Sequence, residues 1–121
     1  MSETNHLSGK VVIVTGAASG FGRLVSEKAA ALDARLVCAD VDGEGLAETV
    51  AAITGTGGQA LAVVTDVTRY EEVAELAARA VEQFGRIDVL VNNAGVMPLA
   101  FFSDHAQALP AWDRCIDINI K

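Results

Sequence analysis

The sequence predicts an α/β fold, in which a doubly wound parallel sheet carries helices on both faces. Two observations support this prediction. Four short apolar runs rich in β-branched residues recur along the chain, and longer segments with helical spacing of apolar residues separate them. Apolar runs without alternation are typical of strands buried on both faces, and strands that alternate with helices form parallel sheets. The predicted order is β-α-β-α-β-α-β, followed by the start of a further helix.

The four apolar runs are the predicted strands. They comprise residues 10–15, 35–40, 60–65 and 87–91. In the strand order 3-2-1-4 that this pattern favours, the fourth strand lies beside the first. The sequence predicts no fifth strand, so the fourth strand is expected to form an open edge.

Helical spacing of apolar residues identifies the helices. The first two are predicted over about 23–32 and 46–53. The third is predicted over 71–84, with Gly85 as its C-terminal stop. Pro110 fits the first turn of a last helix, which is predicted to run to the C-terminus.

Composition excludes several classes of protein. The chain has 121 residues, of which 51% are hydrophobic, so it is long and apolar enough to form one folded domain. No apolar run approaches the roughly 20 residues that span a bilayer, and residues 1–10 do not resemble a secretory signal. The net charge of -7 argues against a nucleic-acid partner. Two cysteines are too few for a disulfide framework and indicate a reducing, cytoplasmic compartment. Neither His6 nor His105 has other ligands at metal-binding spacing, so no metal site is predicted.

A glycine-rich turn joins the first strand to the first helix. The segment Thr15–Gly22 reads Thr-Gly-Ala-Ala-Ser-Gly-Phe-Gly. Its glycines permit a tight turn, close approach of a pyrophosphate to the backbone, and close packing of the helix on the strand. The N-terminus of the helix adds free N–H groups and partial positive charge. The spacing is neither GxGxxG nor that of a P-loop, and a purely structural turn is the alternative to a dinucleotide site.

Asp40 ends the second predicted strand, 24 residues after Gly16. A carboxylate at this distance accepts hydrogen bonds from the ribose hydroxyls of adenosine and repels a 2′-phosphate. No Arg or Lys lies between Asp40 and Gly58 to neutralise such a phosphate, so the sequence favours NAD over NADP. The alternative is an Asp that caps a helix or is simply solvated, since Asp42 and Gly43 follow at a helix start.

Together these motifs resemble the short-chain dehydrogenase/reductase family, classical type. The glycine turn of that family is TGxxxGxG, which Thr15–Gly22 matches. The resemblance continues through Asp66-Val67, Asn92–Gly95 and Trp112–Asn119, and it covers residues 7–121. It implies a Rossmann-like fold and an NAD-dependent oxidoreductase, which transfers hydride between nicotinamide and an alcohol or carbonyl substrate.

The resemblance also implies roles for individual residues. Asp66 resembles the acid that holds the adenine amino group, and Val67 resembles a backbone contact to the ring. The turn Asn93–Gly95 resembles the one that lies along the cofactor ribose. Asn119 resembles the active-site Asn that helps to place a water and the catalytic Lys. The implied cofactor contacts are Gly16, Ser19, Gly20, Phe21, Gly22, Asp40, Val41, Asp66, Val67, Asn93, Ala94 and Gly95.

The proton-transfer pair of the family, Tyr-x-x-x-Lys, has no match in these 121 residues. The one tyrosine, Tyr70, is followed four residues later by Ala74. Residues 1–121 are therefore expected to form an NAD-binding Rossmann domain that is truncated on its C-terminal side and inactive alone. The expected partners are a small-molecule substrate and, in the parent protein, further copies of the same chain, but no nucleic acid and no membrane. The alternatives are a non-catalytic dinucleotide-binding or interaction module and an S-adenosylmethionine-dependent methyltransferase.

Overall fold

The computed structural model describes residues 6–93 and the backbone of residues 116–119. Strands and helices alternate along the first of these segments, as the sequence predicts. The elements are β1 (Val11–Thr15), α1 (Gly20–Ala31), β2 (Arg35–Asp40), α2 (Gly43–Thr54), β3 (Gln59–Val64), α3 (Tyr70–Phe84), β4 (Val89–Asn92) and β5 (Ile116–Asn119).

The strands form one parallel sheet in the order β3-β2-β1-β4-β5. β1 is central, because it pairs with β2 on one side and with β4 on the other. All five residues of β1 are buried, which explains its uninterrupted apolar sequence. The predicted fold class and the order 3-2-1-4 of the first four strands are confirmed. Because the strands are parallel, their carboxyl ends share one edge of the sheet, where the helices begin.

Residues 116–119 form a strand, so the predicted last helix is wrong at these positions. β5 pairs in parallel with β4, and Asn119 lies in register with Asn92. The sequence Ile-Asp-Ile-Asn alternates β-branched and polar residues, which is the period of a strand. Pro110, which favoured a helix, lies outside the described residues. β5 also covers β4, so the expected open edge at β4 is wrong as well.

Two apolar clusters fill the two faces of the sheet. One face packs against α3, with Val73, Leu76 and Ala80 beside alternate residues of the central strands. The other face packs against α1 and α2, so both of these helices lie on the same side of the sheet. Cys38 is buried in this second cluster without a disulfide, and its burial raises the pKa of the thiol to about 11. Over the described residues, no helix has the length and apolar character that crossing a membrane requires.

A buried carboxylate ties the start of β4 to the start of β1. Asp88 is 4% exposed, and its Oδ2 accepts a hydrogen bond from the Val11 amide at 2.9 Å. Its Oδ1 accepts a hydrogen bond from Nε of Arg86 at 3.0 Å. Burial alone disfavours the charged carboxylate. The hydrogen bonds from Arg86 and Val11, with the positive charges of Arg86 and Lys10, outweigh burial and hold the pKa of Asp88 below its ordinary value.

Asp88→Asn is expected to lower the free energy of unfolding by about 2 kcal/mol at pH 7, because hydrogen bonds to a buried charge are replaced by weaker ones. A lowered pKa gives stability above the ordinary carboxyl pKa, and that stability is lost as pH falls through the folded-state value. The difference between wild type and variant should therefore shrink below about pH 4. Urea unfolding at pH 7 and pH 3 measures this difference in the free energy of unfolding. Glu75→Gln, at an exposed position, is the control. An unchanged difference at the two pH values would contradict this role.

Candidate functional site

A cavity of about 310 Å³ lies at the carboxyl edge of the sheet, where β1, β2 and β3 end. Openings at this edge are where doubly wound sheets bind ligands. Five of the predicted contact residues line the cavity, and two threonines that the sequence did not single out line it with them. The lining residues are Gly16, Asp40, Val41, Thr65, Asp66, Val67 and Thr68.

The glycine turn adopts a backbone that side chains would obstruct. Gly16 has φ 69° and Gly20 has φ 58°, both in the left-handed region that glycine adopts most readily. Gly22 has no such φ, but a Cβ there would overlap the carbonyl oxygen of Gly16 and lie 2.7 Å from its carbonyl carbon. Gly22 therefore lets the first turn of α1 pack directly on the turn that precedes it.

The N-terminus of α1 has no acidic or capping side chain of its own. Ser19 occupies the N-cap position without a side-chain hydrogen bond, and the first turn holds no acidic residue. The amides of Gly20, Phe21 and Gly22 precede the first intrahelical bond, which runs from Arg23 N to Ser19 O at 3.4 Å. The next helix differs, because α2 is capped by an aspartate side chain and has a glutamate in its first turn. Of these two helices, α1 is the one whose N-terminal amides can take an anion.

Asp40 joins the end of β2 to the glycine turn. Its Oδ2 accepts a hydrogen bond from the Ala18 amide at 3.0 Å, and its Oδ1 accepts one from the Asp42 amide at 3.1 Å. The cap of α2 is Asp42, which accepts a hydrogen bond from Gly45 N at 3.0 Å. The capping alternative therefore applies to Asp42 rather than to Asp40. Each carboxylate oxygen has two lone pairs, so Asp40 can accept further hydrogen bonds from a ligand.

Asp66 follows β3 and is held by the residues after it. Its Oδ1 accepts hydrogen bonds from the Thr68 hydroxyl at 2.6 Å and the Thr68 amide at 2.9 Å. These two hydrogen bonds, helped by the charge of Arg69, lower the pKa of Asp66. Its own amide donates to Oε1 of Glu72 at 2.8 Å. These hydrogen bonds hold the Asp66 carboxylate in place at the cavity wall.

β4 reaches the same edge and contacts the glycine turn. The Thr15 hydroxyl lies 3.1 Å from Oδ1 of Asn92 and accepts a hydrogen bond from the Asn93 amide at 3.0 Å. The Asn93 side-chain amide donates to the Gly16 carbonyl at 3.5 Å. Asn119 ends β5 in register with Asn92, so its backbone lies at this edge too. Ala94 and Gly95, which complete the predicted turn, lie outside the described residues.

Two threonines, Thr68 and Thr49, hold residues of the site by hydrogen bonds, and a local sequence pattern marks only the first of them. Thr68 stands two residues after Asp66, which is the spacing of an Asx turn, so its contact had a local signal. Thr49 lies in α2, and its hydroxyl donates to the carbonyl of Ala17, 32 residues away along the chain. No local pattern marks such a contact, and only the folded structure shows it.

Comparison with known proteins shows the family. The model of the family described as short chain dehydrogenase matches residues 10–121. The fold and the match to the family model together place the chain in a class of oxidoreductases. The chain belongs to the short-chain dehydrogenase/reductase family.

Curated relatives cover most of the chain. This chain is 47% identical over 92 residues to 1-deoxy-11-beta-hydroxypentalenate dehydrogenase of Streptomyces exfoliatus. The match covers 76% of this chain and 34% of the relative. It is 36% identical over 116 residues to a 3-oxoacyl-[acyl-carrier-protein] reductase of Thermotoga maritima, with 96% of this chain and 46% of the relative covered.

Solved structures superpose on the same region. A short chain dehydrogenase/reductase from Burkholderia phymatum, in complex with NAD, matches with a TM-score of 0.72 and 48% identity over 74% of this chain and 32% of that one. Hydroxysteroid dehydrogenase from Escherichia coli matches with a TM-score of 0.75 and 35% identity over 88% of this chain and 46% of that one. The chain thus spans between about a third and a half of the length of these relatives.

Proposed function

We propose that this chain forms the NAD-binding part of a short-chain dehydrogenase that transfers hydride between nicotinamide and an alcohol or carbonyl substrate. One observation carries the proposal. A single cavity at the carboxyl edge of the sheet joins the glycine turn to two carboxylates, Asp40 and Asp66. A dinucleotide needs this combination, because its phosphates require bare backbone amides while its ribose hydroxyls and adenine amino group are hydrogen-bond donors.

The residues present fit the adenosine side of the cofactor. The glycine turn, with Ser19 and Phe21 at the start of α1, would hold the pyrophosphate. Asp40 and Val41 would hold the adenosine ribose, and Asp66 with Val67 would hold the adenine ring. When bound, NAD supplies the nicotinamide ring that accepts or gives the hydride. The residues of this chain bind and orient the cofactor.

The proposal extends to the other end of the cofactor and to the whole protein. The turn Asn93–Gly95 would lie along the second ribose, and Asn119 would take part in the active site. The protein would act on a small-molecule alcohol or carbonyl compound as a homo-oligomer. The free, buried Cys38 supports a reducing compartment, and we place the protein in the cytoplasm.

The protein is expected to bind NADH at least about tenfold more tightly than NADPH, a difference of about 1.4 kcal/mol. A 2′-phosphate would face the Asp40 carboxylate, and none of the seven residues that line the cavity is a Lys or Arg. Calorimetric titration with both cofactors measures the preference. Asp40→Asn should narrow it by removing the charge, whereas Asp42→Asn, a change at the neighbouring helix cap, should leave it intact. Equal affinity for the two cofactors in the wild type would contradict the role of Asp40.

A further inference from the structure

The glycine turn is held by a buried hydroxyl that belongs to another helix. The Oγ1 of Thr49, in α2, lies 2.9 Å from the carbonyl oxygen of Ala17 and 3.2 Å from that of Gly45. Thr49 is completely buried. A threonine hydroxyl has one hydrogen to donate, and the shorter distance assigns it mainly to Ala17. The turn that we assign to the phosphates is therefore tied directly to α2.

Two further hydrogen bonds hold the same short stretch. The Ala17 amide donates to the carbonyl of Ala39 at 3.0 Å, and the Ala18 amide donates to Oδ2 of Asp40 at 3.0 Å. Ala17 lies between β1 and α1, and both of its backbone polar groups are thus bonded to residues of β2 or α2. Thr49 supplies the contact that fixes the carbonyl side.

Close packing reinforces this contact. A Cβ on Gly45 would lie 2.7 Å from Cβ of Ala18 and 3.1 Å from its carbonyl oxygen, so the first turn of α2 touches the glycine turn. Thr49 lies one helical turn further along the same face. The position of α2 therefore sets the position of the Ala17–Ala18 peptide. Thr49 makes the hydrogen bond to Ala17, and Gly45 allows the close approach to Ala18.

We infer that Thr49 is a positioning residue for phosphate binding, an inference that rests on the proposed function. Its hydroxyl orients the Ala17 carbonyl and so fixes the plane of the peptide that leads to α1. Amides held in place before a ligand arrives need no ordering when it binds, which preserves affinity. Without the hydroxyl, the buried Ala17 carbonyl loses its partner, and the peptide must rotate or admit water. Such a rotation displaces the turn ahead of the α1 amides and breaks the hydrogen bond from the Ala18 amide to Asp40. Asp40 stays held by the Asp42 amide. Asp66 and Val67, which follow β3, keep their places, so the adenosine side of the cavity changes little.

The test compares ligands with and without phosphates in the complete gene product. NADH and ADP carry phosphates, whereas adenosine does not. Thr49→Val is expected to weaken NADH and ADP binding about tenfold, as the loss of one buried hydrogen bond implies, and to change adenosine binding by less than about twofold. Thr49→Ser keeps the hydroxyl and should restore wild-type affinity. Titration calorimetry serves for NADH and ADP, and NMR titration serves for adenosine.

Thr54→Val is the matched control, because it removes a hydroxyl from the same helix. Thr54 is exposed and donates to the carbonyl of Val50 at 3.0 Å, a bond within α2 that does not involve the turn. Affinities in this variant should equal those of the wild type. If Thr49→Val does not fold, Thr49→Cys replaces it, with a loss in the same direction because a thiol is a weak donor.

Two results would overturn the inference while leaving the proposed function intact. Either Thr49→Val binds NADH and ADP as the wild type does, or it weakens adenosine as much as ADP, as a merely structural role would. A wild-type protein that binds neither NADH nor ADP would instead overturn the proposed function, and this inference with it.

Discussion

The purified 121-residue chain is expected to bind NADH and to show no dehydrogenase turnover with any secondary alcohol. Hydride transfer to nicotinamide requires a group that takes the proton of the alcohol, and positioning by the cofactor site does not replace it. Such a group contributes roughly 10²–10⁴-fold in rate. In this family the group is a tyrosine with a lysine four residues later, whereas the one tyrosine of this chain, Tyr70, has Ala74 four residues later.

Absorbance at the NADH band, with NAD and a panel of secondary alcohols, measures this prediction. Calorimetric heat on adding NADH reports binding in the same preparation, which separates an inactive site from an absent one. Turnover by the chain alone would contradict the prediction. Tyr70→Phe then identifies the source, because Tyr70 is exposed at the start of α3, two residues after Thr68, which lines the cavity. Turnover lost in that variant would assign the proton transfer to Tyr70.

The sequence predicts an element well where its local pattern and its packing in the fold favour the same structure. β2 has the predicted bounds, Arg35–Asp40, and α3 ends before Gly85, which has φ 83° as a C-terminal stop requires. The apolar pattern places the starts of α1 and α2 three residues late, because its periodicity begins only where each helix faces the core. The strand at 116–119 cannot be predicted in this way, because Pro110 upstream favours a helix and the alternation covers only four residues.

The site could be predicted where it depends on backbone conformation, but not where it depends on long-range contacts. The need for positive φ puts glycines at fixed positions of the turn, and their spacing can be recognised in the sequence. An aspartate at the end of a predicted strand is expected at the carboxyl edge of the sheet. The hydrogen bond from Thr49 to Ala17 joins elements that meet only after α1 and α2 pack side by side. The sequence does not distinguish Thr49 from the other polar residues of α2. Its burial depends on how α2 packs in the folded chain.

Gly22→Ala is expected to weaken NADH binding about a hundredfold and to lower the free energy of unfolding by about 2–3 kcal/mol, as overpacking in a close contact does. The added methyl would overlap the Gly16 carbonyl oxygen and lie 2.8 Å from the side-chain nitrogen of Asn93. Both obstacles belong to the proposed phosphate turn and the strand end behind it. Relief requires α1 to move away from the turn, which displaces the helix amides from the position in which they would meet the pyrophosphate.

Gly85→Ala separates this effect from the general cost of replacing a glycine. Gly85 has φ 83°, and a methyl group added there would have nothing within 4 Å of it. Its replacement therefore costs only backbone strain, about 1 kcal/mol, at the far end of α3. That variant should melt at a lower temperature than the wild type and bind NADH with unchanged affinity. Thermal unfolding and NADH titration of both variants test the pair. A Gly22→Ala protein that binds NADH as tightly as Gly85→Ala would mean that the start of α1 does not hold the phosphates, since its displacement would then have no effect on the ligand.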